Sequence, residues 1–467
     1  MFIYSSRNAL QPVNRLPPEI LSRIARDVLH SDQDARRIIP FTHVCRYWCE
    51  SITSAPENWS MISSHSKSLA VLSLERSKSF PLEITLDVPE ARAKPGFSDI
   101  LKLYIQNTEV LTLSYPSSAE DLVQTVPGFP RSMPNLRSLA VLSFWTPEPQ
   151  WDPFVDPFES LSPSLRYLSL NCIPLYPSFL NLRNLVEFDF SNPGSDLTLD
   201  AILTLLEENR SLRSLVLYIE TLNPTPNFLR RWAPITNRLG HLSVSCANPE
   251  GIRGLISNTP LKTGADLRIV CFNGQGGLND ILSGIPTTHF PNLQSLTRMH
   301  AHKSGIRSSG QNGNFWFGHL PPSEVALRGL SLLSFASIQD LHLYGLGNRP
   351  LDPSIFPALK TLVIDGDDSP QGTLSILFSS PELSPSLKTL ALLNCNLSEI
   401  FMESLAQFAS EHKNTASAGL DRVVITYRDW EPPSAESIRA VEERVSVVEV
   451  GPSVEVPDDL RWCLEWH

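Results

Sequence analysis

Along most of the chain, apolar residues recur in a short string that places leucine or a similar residue at its first, fourth and sixth positions. This string or a degenerate form of it occurs thirteen times after residue 65. Full copies begin at residues 69, 136, 165, 185, 212, 239, 338, 359 and 387, and degenerate copies begin at 111, 267, 293 and 423. Alternating apolar and polar positions over a few residues are typical of a strand with one buried face. The pattern therefore predicts many short strands.

The intervals between these strings indicate a structural repeat. The starts between residues 136 and 239 are separated by 29, 20, 27 and 27 residues, and leucine-rich repeats have periods of about 20–29 residues. We therefore expect an α/β fold, an irregular leucine-rich-repeat solenoid over residues 63–430. Its parallel strands would lie on a concave face, with helices and loops on the convex face. Residues 200–209 and 398–412 have the amphipathic spacing of such return helices.

The segment before the repeats, residues 13–62, has a helical pattern instead. A helix is expected to begin at Pro17 and Pro18, because the first helical turn tolerates a missing N–H. Two apolar stripes follow at helical spacing, Ile20, Ile24 and Val28 in one and Leu21, Ala25 and Leu29 in the other. One stripe can face the segment's own core, which leaves the other available to a second protein.

Two more helices are predicted in this segment. The second begins near Pro40 and the third at Ser54, where Glu57 stands at the spacing of a capping box. Their apolar positions are Phe41, Val44, Trp48 and Ile52 in the second helix and Trp59 and Ile62 in the third. Three helices in about fifty residues bury little surface, so such a unit gains stability by docking. Periodicity alone leaves open the alternative of a helical cap on the repeats.

The same segment spells LPPEI at residues 16–20 and VCRYW at 44–48, followed by Trp59. The order and spacing of these strings resemble the F-box, and the whole chain resembles the fungal F-box proteins with leucine-rich repeats. The resemblance implies a substrate-receptor subunit of an SCF-type ubiquitin ligase. The F-box would bind the adaptor, and through it the cullin scaffold, while the repeats bind an unknown target protein. The charged stretch between Leu29 and Pro40 departs from the compact connection of the family.

The resemblance also implies which residues meet the adaptor. Those expected in contact are Leu16, Pro17, Pro18, Ile20, Leu21 and Ile24, and those expected in the contact or in the core beneath it are Val44, Cys45 and Trp48. The expected organisation is a flexible leader (1–12), the F-box (13–62), the repeats (63–430) and a C-terminal cap (431–467). The cap includes a helical pattern at residues 434–444 and an apolar VSVVEV run, and it ends in WCLEWH.

One interval between strings, from Leu293 to Ile338, is too long for a single repeat. The excess lies in residues 301–322, which are rich in Gly, Ser and Asn and carry Phe315, Trp316 and Phe317 in a row. Adjacent aromatic residues in a loop are candidates for anchoring a partner, since such residues dominate interface energetics. The alternative is that the insertion folds its aromatic side chains back onto the repeats.

Charge and motifs narrow the function further. The formal net charge of −11 argues against nucleic acid or an acidic membrane as a partner. Seven scattered cysteines indicate reduced thiols in a cytoplasmic or nuclear protein. No signal peptide or membrane-spanning run is evident.

No catalytic motif occurs, and the groups around Cys45 and Cys49 or His300 and His302 lack the remaining ligands of a metal site. We therefore expect no cofactor and no enzyme activity. The alternatives are a binding scaffold acting without ubiquitin transfer and, in another class, a hydrolase built on repeats.

Overall fold

The computed structural model divides the chain into two compact units. Unit one comprises Met1–Ser195 and Thr204–Leu212, and unit two comprises Asp196–Leu203 and Arg213–His467. The residues that the structure describes are 11–32, 34–94, 96–116, 118–126, 129, 131, 133–143, 156–159, 161, 163–224, 239–272, 278–291, 293–302, 305–311, 313–320, 335–345, 353–366, 371–415, 419–427 and 432–452. Most of the expected leader and the WCLEWH end, including Cys463, lie outside these ranges.

Unit one begins with short helices and continues as alternating strands and helices. Its helices are α1 (Pro18–Asp32), α2 (Ile38–Thr42), α3 (Arg46–Ser54), α4 (Lys67–Ser77), α5 (Val88–Ala93), α6 (Phe97–Tyr104), α7 (Ala119–Thr125) and α8 (Pro177–Leu180). Its strands are β1 (Met61–Ser63), β2 (Leu82–Asp87), β3 (Thr108–Ser114), β4 (Ser138–Leu142), β5 (Tyr167–Asn171) and most of β6 (Glu187–Thr198). Helix α9 (Leu199–Glu208) is divided between the units.

The strands of unit one are parallel and pair in chain order. Equivalent apolar positions stand directly beside one another. One such row reads Ile62, Ile84, Leu111, Leu139, Leu168 and Phe188. All six side chains are buried. The alternation that predicted the strands is therefore the alternation between a buried face and the opposite face of one parallel sheet.

Unit two has the same organisation over more strands. Its further helices are α10 (Pro249–Asn258), α11 (Leu278–Leu282), α12 (Gln371–Ser379), α13 (Glu399–Thr415) and α14 (Ala435–Glu442). Its strands are β7 (Ser214–Asn223), β8 (His241–Cys246), β9 (Asp266–Phe272), β10 (Leu296–His302), β11 (Gly305–Gly310), β12 (Gly313–Leu320), β13 (Asp340–Tyr344), β14 (Thr361–Asp365), β15 (Thr389–Leu393), β16 (Arg422–Tyr427) and β17 (Val447–Pro452). The return helices predicted at residues 200–209 and 398–412 correspond to α9 and α13.

The predicted loop at residues 301–322 is instead largely a β-hairpin within the sheet of unit two. Strand β11 pairs antiparallel with β10 and with β12, and β12 pairs parallel with β9. The loop prediction was wrong because the many Gly and Ser residues masked the alternation of apolar positions. Gly313, at φ +114°, is needed at the turn, since a Cβ there would stand 2.1 Å from the carbonyl oxygen of Ala265.

One of the thirteen strings does not form a strand. The first, beginning at residue 69, lies in α4, whose N-cap Ser66 accepts a hydrogen bond from the N–H of Leu69. Leu69, Ala70, Ser73, Leu74 and Ser77 form its buried face, at the spacing of three to four residues that belongs to a helix. The same leucines satisfy both periodicities over six residues, so the string was misread as a strand.

The second and third helices predicted before residue 63 also differ from the structure. Instead of one helix from Pro40 to Ile52, α2 ends at Thr42 and α3 begins after Cys45, whose backbone is extended. In place of the third α-helix there is a 3-10 helix, Pro56–Trp59, without a side-chain cap. Ile62 belongs to β1, where it pairs with Ile84. The predicted capping box at Ser54 and Glu57 was therefore wrong.

The region expected as a C-terminal cap continues the sheet. Helix α14 begins at its N-cap Ser434, whose hydroxyl accepts a hydrogen bond from the N–H of Ser437. The VSVVEV run then enters β17, which pairs parallel with β16. The described part of this region therefore adds one more helix and strand to unit two.

Candidate functional site

The two apolar stripes of α1 have different environments. Leu21, Ala25 and Leu29 are buried, and the last two belong to a hydrophobic cluster with Ile52 and Trp59. The other stripe faces outward: the side chains of Ile20 and Ile24 are 42% and 38% exposed, and Val28 is half-buried. The sequence-based prediction of one stripe for the core and one left over is confirmed.

Hydrogen bonds fix the core beneath α1. The hydroxyl of Ser22 donates to Oε1 of Glu57 and to Oδ1 of Asn58, each at 3.1 Å. The indole N–H of Trp59 donates to the carbonyl of Ile52 at 3.0 Å, and the guanidinium of Arg76 lies 4.4 Å from the centre of the same ring. The Ser22 contacts hold α1 by its buried side, so its outer stripe faces away from this core.

The segment leading into α1 is held against α3 by its polar groups. Oδ1 of Asn14 accepts hydrogen bonds from the indole N–H of Trp48 at 2.6 Å and from the thiol of Cys45 at 3.9 Å. The hydroxyl of Tyr47 donates to the carbonyl of Leu16 at 2.6 Å. Sequence reasoning missed Asn14 and Tyr47. The only sequence signal for this contact was the polar Asn14 next to the apolar stretch that begins at Leu16. Such a neighbour is too common to predict a hydrogen bond.

Exposed apolar side chains are concentrated in this part of the chain. Twelve large apolar residues are exposed among those the structure describes, and five of them lie between residues 13 and 44. They are Val13, Ile20, Ile24, Ile39 and Val44, and Pro17 and Pro18 are also exposed. We call Pro17, Ile20 and Ile24, which follow one another at helical spacing, the docking face. Apolar groups gathered on a surface indicate a binding site for another macromolecule.

Charged residues occupy exposed positions on α1 and on the segments before and after it. Arg15, Glu19, Arg23 and Asp27 are exposed, and an exposed Arg46 pairs with Glu50 at 2.8 Å. Beyond α1, the side chain of Arg36 hydrogen-bonds to Asp34 and lowers the pKa of that carboxyl. Both signs of charge occur, so the surroundings do not select a strongly charged partner. An apolar centre with a polar rim is the usual composition of a protein–protein interface.

The nine residues expected to meet an adaptor divide by exposure. Pro17, Pro18, Ile20, Ile24 and Val44 are exposed, Leu16 and Cys45 are half-buried, and Leu21 and Trp48 are buried. Trp48 stacks on Phe41 with ring centres 5.9 Å apart. The structure thus places Leu21 and Trp48 in the core, where they support the docking face without being accessible to a partner.

The second predicted site, the three aromatics at 315–317, is divided between the two faces of the sheet. Phe315 and Phe317 are fully buried, beside their strand partners Leu267 and Ile269. A partner contact through these two rings is therefore not supported. Trp316 points to the opposite face, where it is half-buried and the guanidinium of Arg268 lies 4.2 Å from its ring centre.

Cysteine and histidine side chains occupy several separate places in the described ranges. No three His, Cys, Asp or Glu side chains there are grouped so as to hold a metal ion. Burial raises the pKa of Cys246 to about 11 and that of Cys271 to about 12, so both thiols stay protonated at neutral pH. Nδ1 of His342 lies 3.0 Å from Nδ1 of His300, and Cys45 and Cys49 are free thiols.

Comparison with protein-family models found no match, and comparison with curated proteins found none either. Among the helices that the structure describes, none has both the length and the apolar composition to cross a membrane. The chain has an α/β fold with mostly parallel strands, in which unit one carries the docking face and unit two carries the hairpin.

Proposed function

We propose that this protein is the substrate-recognition subunit of an SCF-type ubiquitin ligase. In this proposal residues 13–62 are an F-box that binds the adaptor, and through it the cullin scaffold. The strands and return helices after residue 63 form an irregular leucine-rich-repeat solenoid that binds the target protein. The observation that carries the proposal is the outer stripe of α1, which keeps two isoleucines exposed while the other apolar stripe, Leu21, Ala25 and Leu29, is buried.

The exposure of this stripe favours a docking module over a helical cap. A cap that only covered the repeats would bury its apolar positions against them, because exposed isoleucines gain nothing from folding. Here the buried stripe already satisfies the core, while Ile20 and Ile24 remain open to solvent. Burying these two side chains in a partner would contribute about 1.5–3 kcal/mol each relative to full exposure. Since both isoleucines are already more than half covered, the free energy that they can still contribute on binding is smaller. Pro17 and its exposed neighbours therefore have to contribute the rest.

The proposed role in ubiquitin transfer is positioning. A receptor that holds a target and an adaptor on one chain raises the concentration of the target near the ubiquitin-loaded enzyme. The reactive groups belong to other subunits, so this chain needs no nucleophile of its own. The second candidate is a scaffold that uses the same docking face without ubiquitin transfer.

The test is co-purification of the tagged full-length chain from cells with the adaptor and the cullin. We expect both to be recovered with the wild-type protein and lost with Ile20→Asp combined with Ile24→Asp. The matched control is Leu103→Asp, because Leu103 is 77% exposed on α6 of the same unit and lies outside residues 13–62. Leu21 and Trp48 are unsuitable for this test, since their replacement disrupts the core.

Three outcomes are distinguishable. Loss of both partners only in the docking-face variant supports the proposal. Recovery of the adaptor without the cullin supports the scaffold instead. Recovery of neither with the wild-type chain, or equal recovery with the wild type and the docking-face variant, contradicts the assignment of the docking face.

A further inference from the structure

The inserted hairpin of unit two places a row of cationic and aromatic side chains across neighbouring strands. Arg268 on β9 stands beside Trp316 on β12, Trp316 beside Arg307 on β11, and Arg307 beside His300 on β10. Residues at paired positions point to the same face of a sheet. We call Arg268, Trp316 and Arg307 the arginine–tryptophan row.

The row is accessible from solvent. Arg268 and Arg307 are exposed and Trp316 is half-buried, whereas the alternate hairpin positions Ile306, Phe315 and Phe317 are buried on the opposite face. The sheet therefore divides the hairpin into an apolar side that belongs to the core and a polar side that carries two guanidinium groups around one indole.

The two arginines are close enough to influence each other. Their strands are separated by one strand, which places the backbones about 10 Å apart, and both side chains extend over the same face. Partial burial and the positive charge of Arg268 lower the pKa of Arg307. Two like charges near one another are a local cost that a bound anion relieves.

Neighbouring carboxylates on this face have other partners. Oδ1 of Asp266 accepts hydrogen bonds from the backbone N–H and the side-chain amide of Asn314, at 3.1 and 2.8 Å. Asp340 pairs with Arg298 at 3.4 Å. Among the described residues, the carboxylates nearest in the strand register thus have contacts on either side of the row. The two exposed guanidinium groups make the row locally positive on a chain with a net charge of −11.

We propose that the arginine–tryptophan row is a binding surface for an acidic peptide segment of a partner protein. Carboxylates of the peptide would accept hydrogen bonds from Arg268 and Arg307, and the apolar part of the peptide would lie against the indole of Trp316. Guanidinium groups suit this role because they bind carboxylates through two parallel hydrogen bonds. The inference rests on the proposed function only in naming the bound protein as the target of the ligase.

Charge favours a short acidic peptide over a nucleic acid. An indole beside arginines also suits the stacking of bases, but a long polyanion would be repelled by the overall negative charge of the chain. A short segment with few carboxylates interacts mainly with the local row, because charges more than about 8–10 Å away are screened at physiological salt.

The test measures binding of purified full-length protein to a fluorescein-labelled peptide of alternating Glu and Ser, by fluorescence anisotropy. The same peptide with Gln in place of Glu is the neutral probe, and a single-stranded oligothymidine is the nucleic-acid probe. We expect saturable binding of the Glu peptide, weakened by added salt. Arg268→Glu and Arg307→Glu should each weaken it about tenfold or more, and Trp316→Leu should weaken it several-fold.

The control variant is Arg439→Glu, which makes the same charge change at an exposed position of α14. It should bind the Glu peptide like the wild type. Equal binding of the Glu and Gln peptides, an equal loss with Arg439→Glu, or tighter binding of the oligothymidine through the same arginines would overturn the proposal. Adaptor co-purification with Arg268→Glu is measured in parallel. If this variant loses peptide binding but still recovers the adaptor, the row and the docking face are separate surfaces. If the wild-type chain recovers no adaptor, the proposed function fails, while the peptide-binding result still decides the proposal for the row.

Discussion

Adjacent residues of similar hydrophobicity have opposite surroundings in this protein. Ile20 is exposed and Leu21 is buried on α1, and on β12 Trp316 is half-buried on one face while Phe317 is fully buried on the other. The cause is geometric, because one step along a helix rotates the side chain by about 100° and one step along a strand turns it to the other face. A residue type alone therefore does not predict a contact, whereas its position in the element does.

Replacing Phe317 tests this division at a single position. Phe317→Ala removes a fully buried ring and should lower the free energy of unfolding by about 3–5 kcal/mol. The control Trp316→Ala removes a half-buried ring from the other face and should cost much less. Calorimetric melting of the two variants compares their free energies of unfolding. Equal losses of stability would contradict the burial of Phe317 on one face and the partial exposure of Trp316 on the other.

Asp189 provides a pH-dependent test. Burial raises the pKa of its carboxyl, an effect only partly offset by a hydrogen bond from Ser169. Since the folded value lies above the ordinary value of 3.8, folding disfavours the charged form, and stability is lost as pH rises through the folded pKa. Asp189→Asn should therefore raise the melting temperature at pH 7, and the difference should vanish below about pH 3.8. A difference that grows in acid would contradict this explanation.

The buried cysteine thiols are predicted to be unreactive toward alkylating reagents. With pKa values of about 11 and 12, Cys246 and Cys271 should resist iodoacetamide at pH 8 in the folded protein, because the thiolate is the reactive form. Cys45 and Cys49, which are half-buried, should be modified before these two. Mass spectrometry of the digested protein gives the extent at each site, and rapid modification of Cys271 would disprove its burial.

Elements with a long, regular pattern could be predicted, and those interrupted by backbone geometry could not. Helix α1 followed from two clear stripes, and twelve of the thirteen strings lie in or at strands. The break between α2 and α3 was invisible because the apolar spacing from Phe41 through Trp48 continues across it. The hairpin had a usable signal, the two residues between Gly310 and Gly313 flanked by alternating apolar positions, but the preceding Gly and Ser residues favoured a loop.

At the docking face, the sequence predicted two apolar stripes, but neither which stripe is exposed nor what orients it. Asn14 is the contact to test, because it accepts from both Trp48 and Cys45. Asn14→Ala leaves the indole N–H of the nearly buried Trp48 without this acceptor, which should cost about 1–3 kcal/mol of stability and weaken adaptor binding. Asn14→Asp retains the oxygen acceptor and serves as the control. If thermal melting and adaptor binding of Asn14→Ala match the wild type, the segment is oriented by other contacts.

At the scale of the whole molecule, the two proposed binding surfaces belong to different compact units. The docking face lies in unit one, and the arginine–tryptophan row lies in unit two. Variants in the two surfaces should therefore act independently, since sites without shared partners contribute additively. A chain carrying both Ile20→Asp and Arg268→Glu should lose adaptor and peptide binding to the same extent as the single variants. The fold class could be predicted from the repeated leucine-rich strings. The arginine–tryptophan row could not, because it depends on the register between strands, which no local sequence pattern encodes.

Binding of the ligase adaptor by the docking face is a proposal that can be measured by calorimetric titration of the purified full-length chain with the purified adaptor–cullin complex. We expect saturable one-to-one binding with a negative heat-capacity change, because apolar surface is buried. Ile20→Asp with Ile24→Asp should weaken binding about thirtyfold or more, and Leu103→Asp should bind like the wild type. Absence of binding by the wild-type chain, or equal affinities of the wild type and the docking-face variant, would contradict the account.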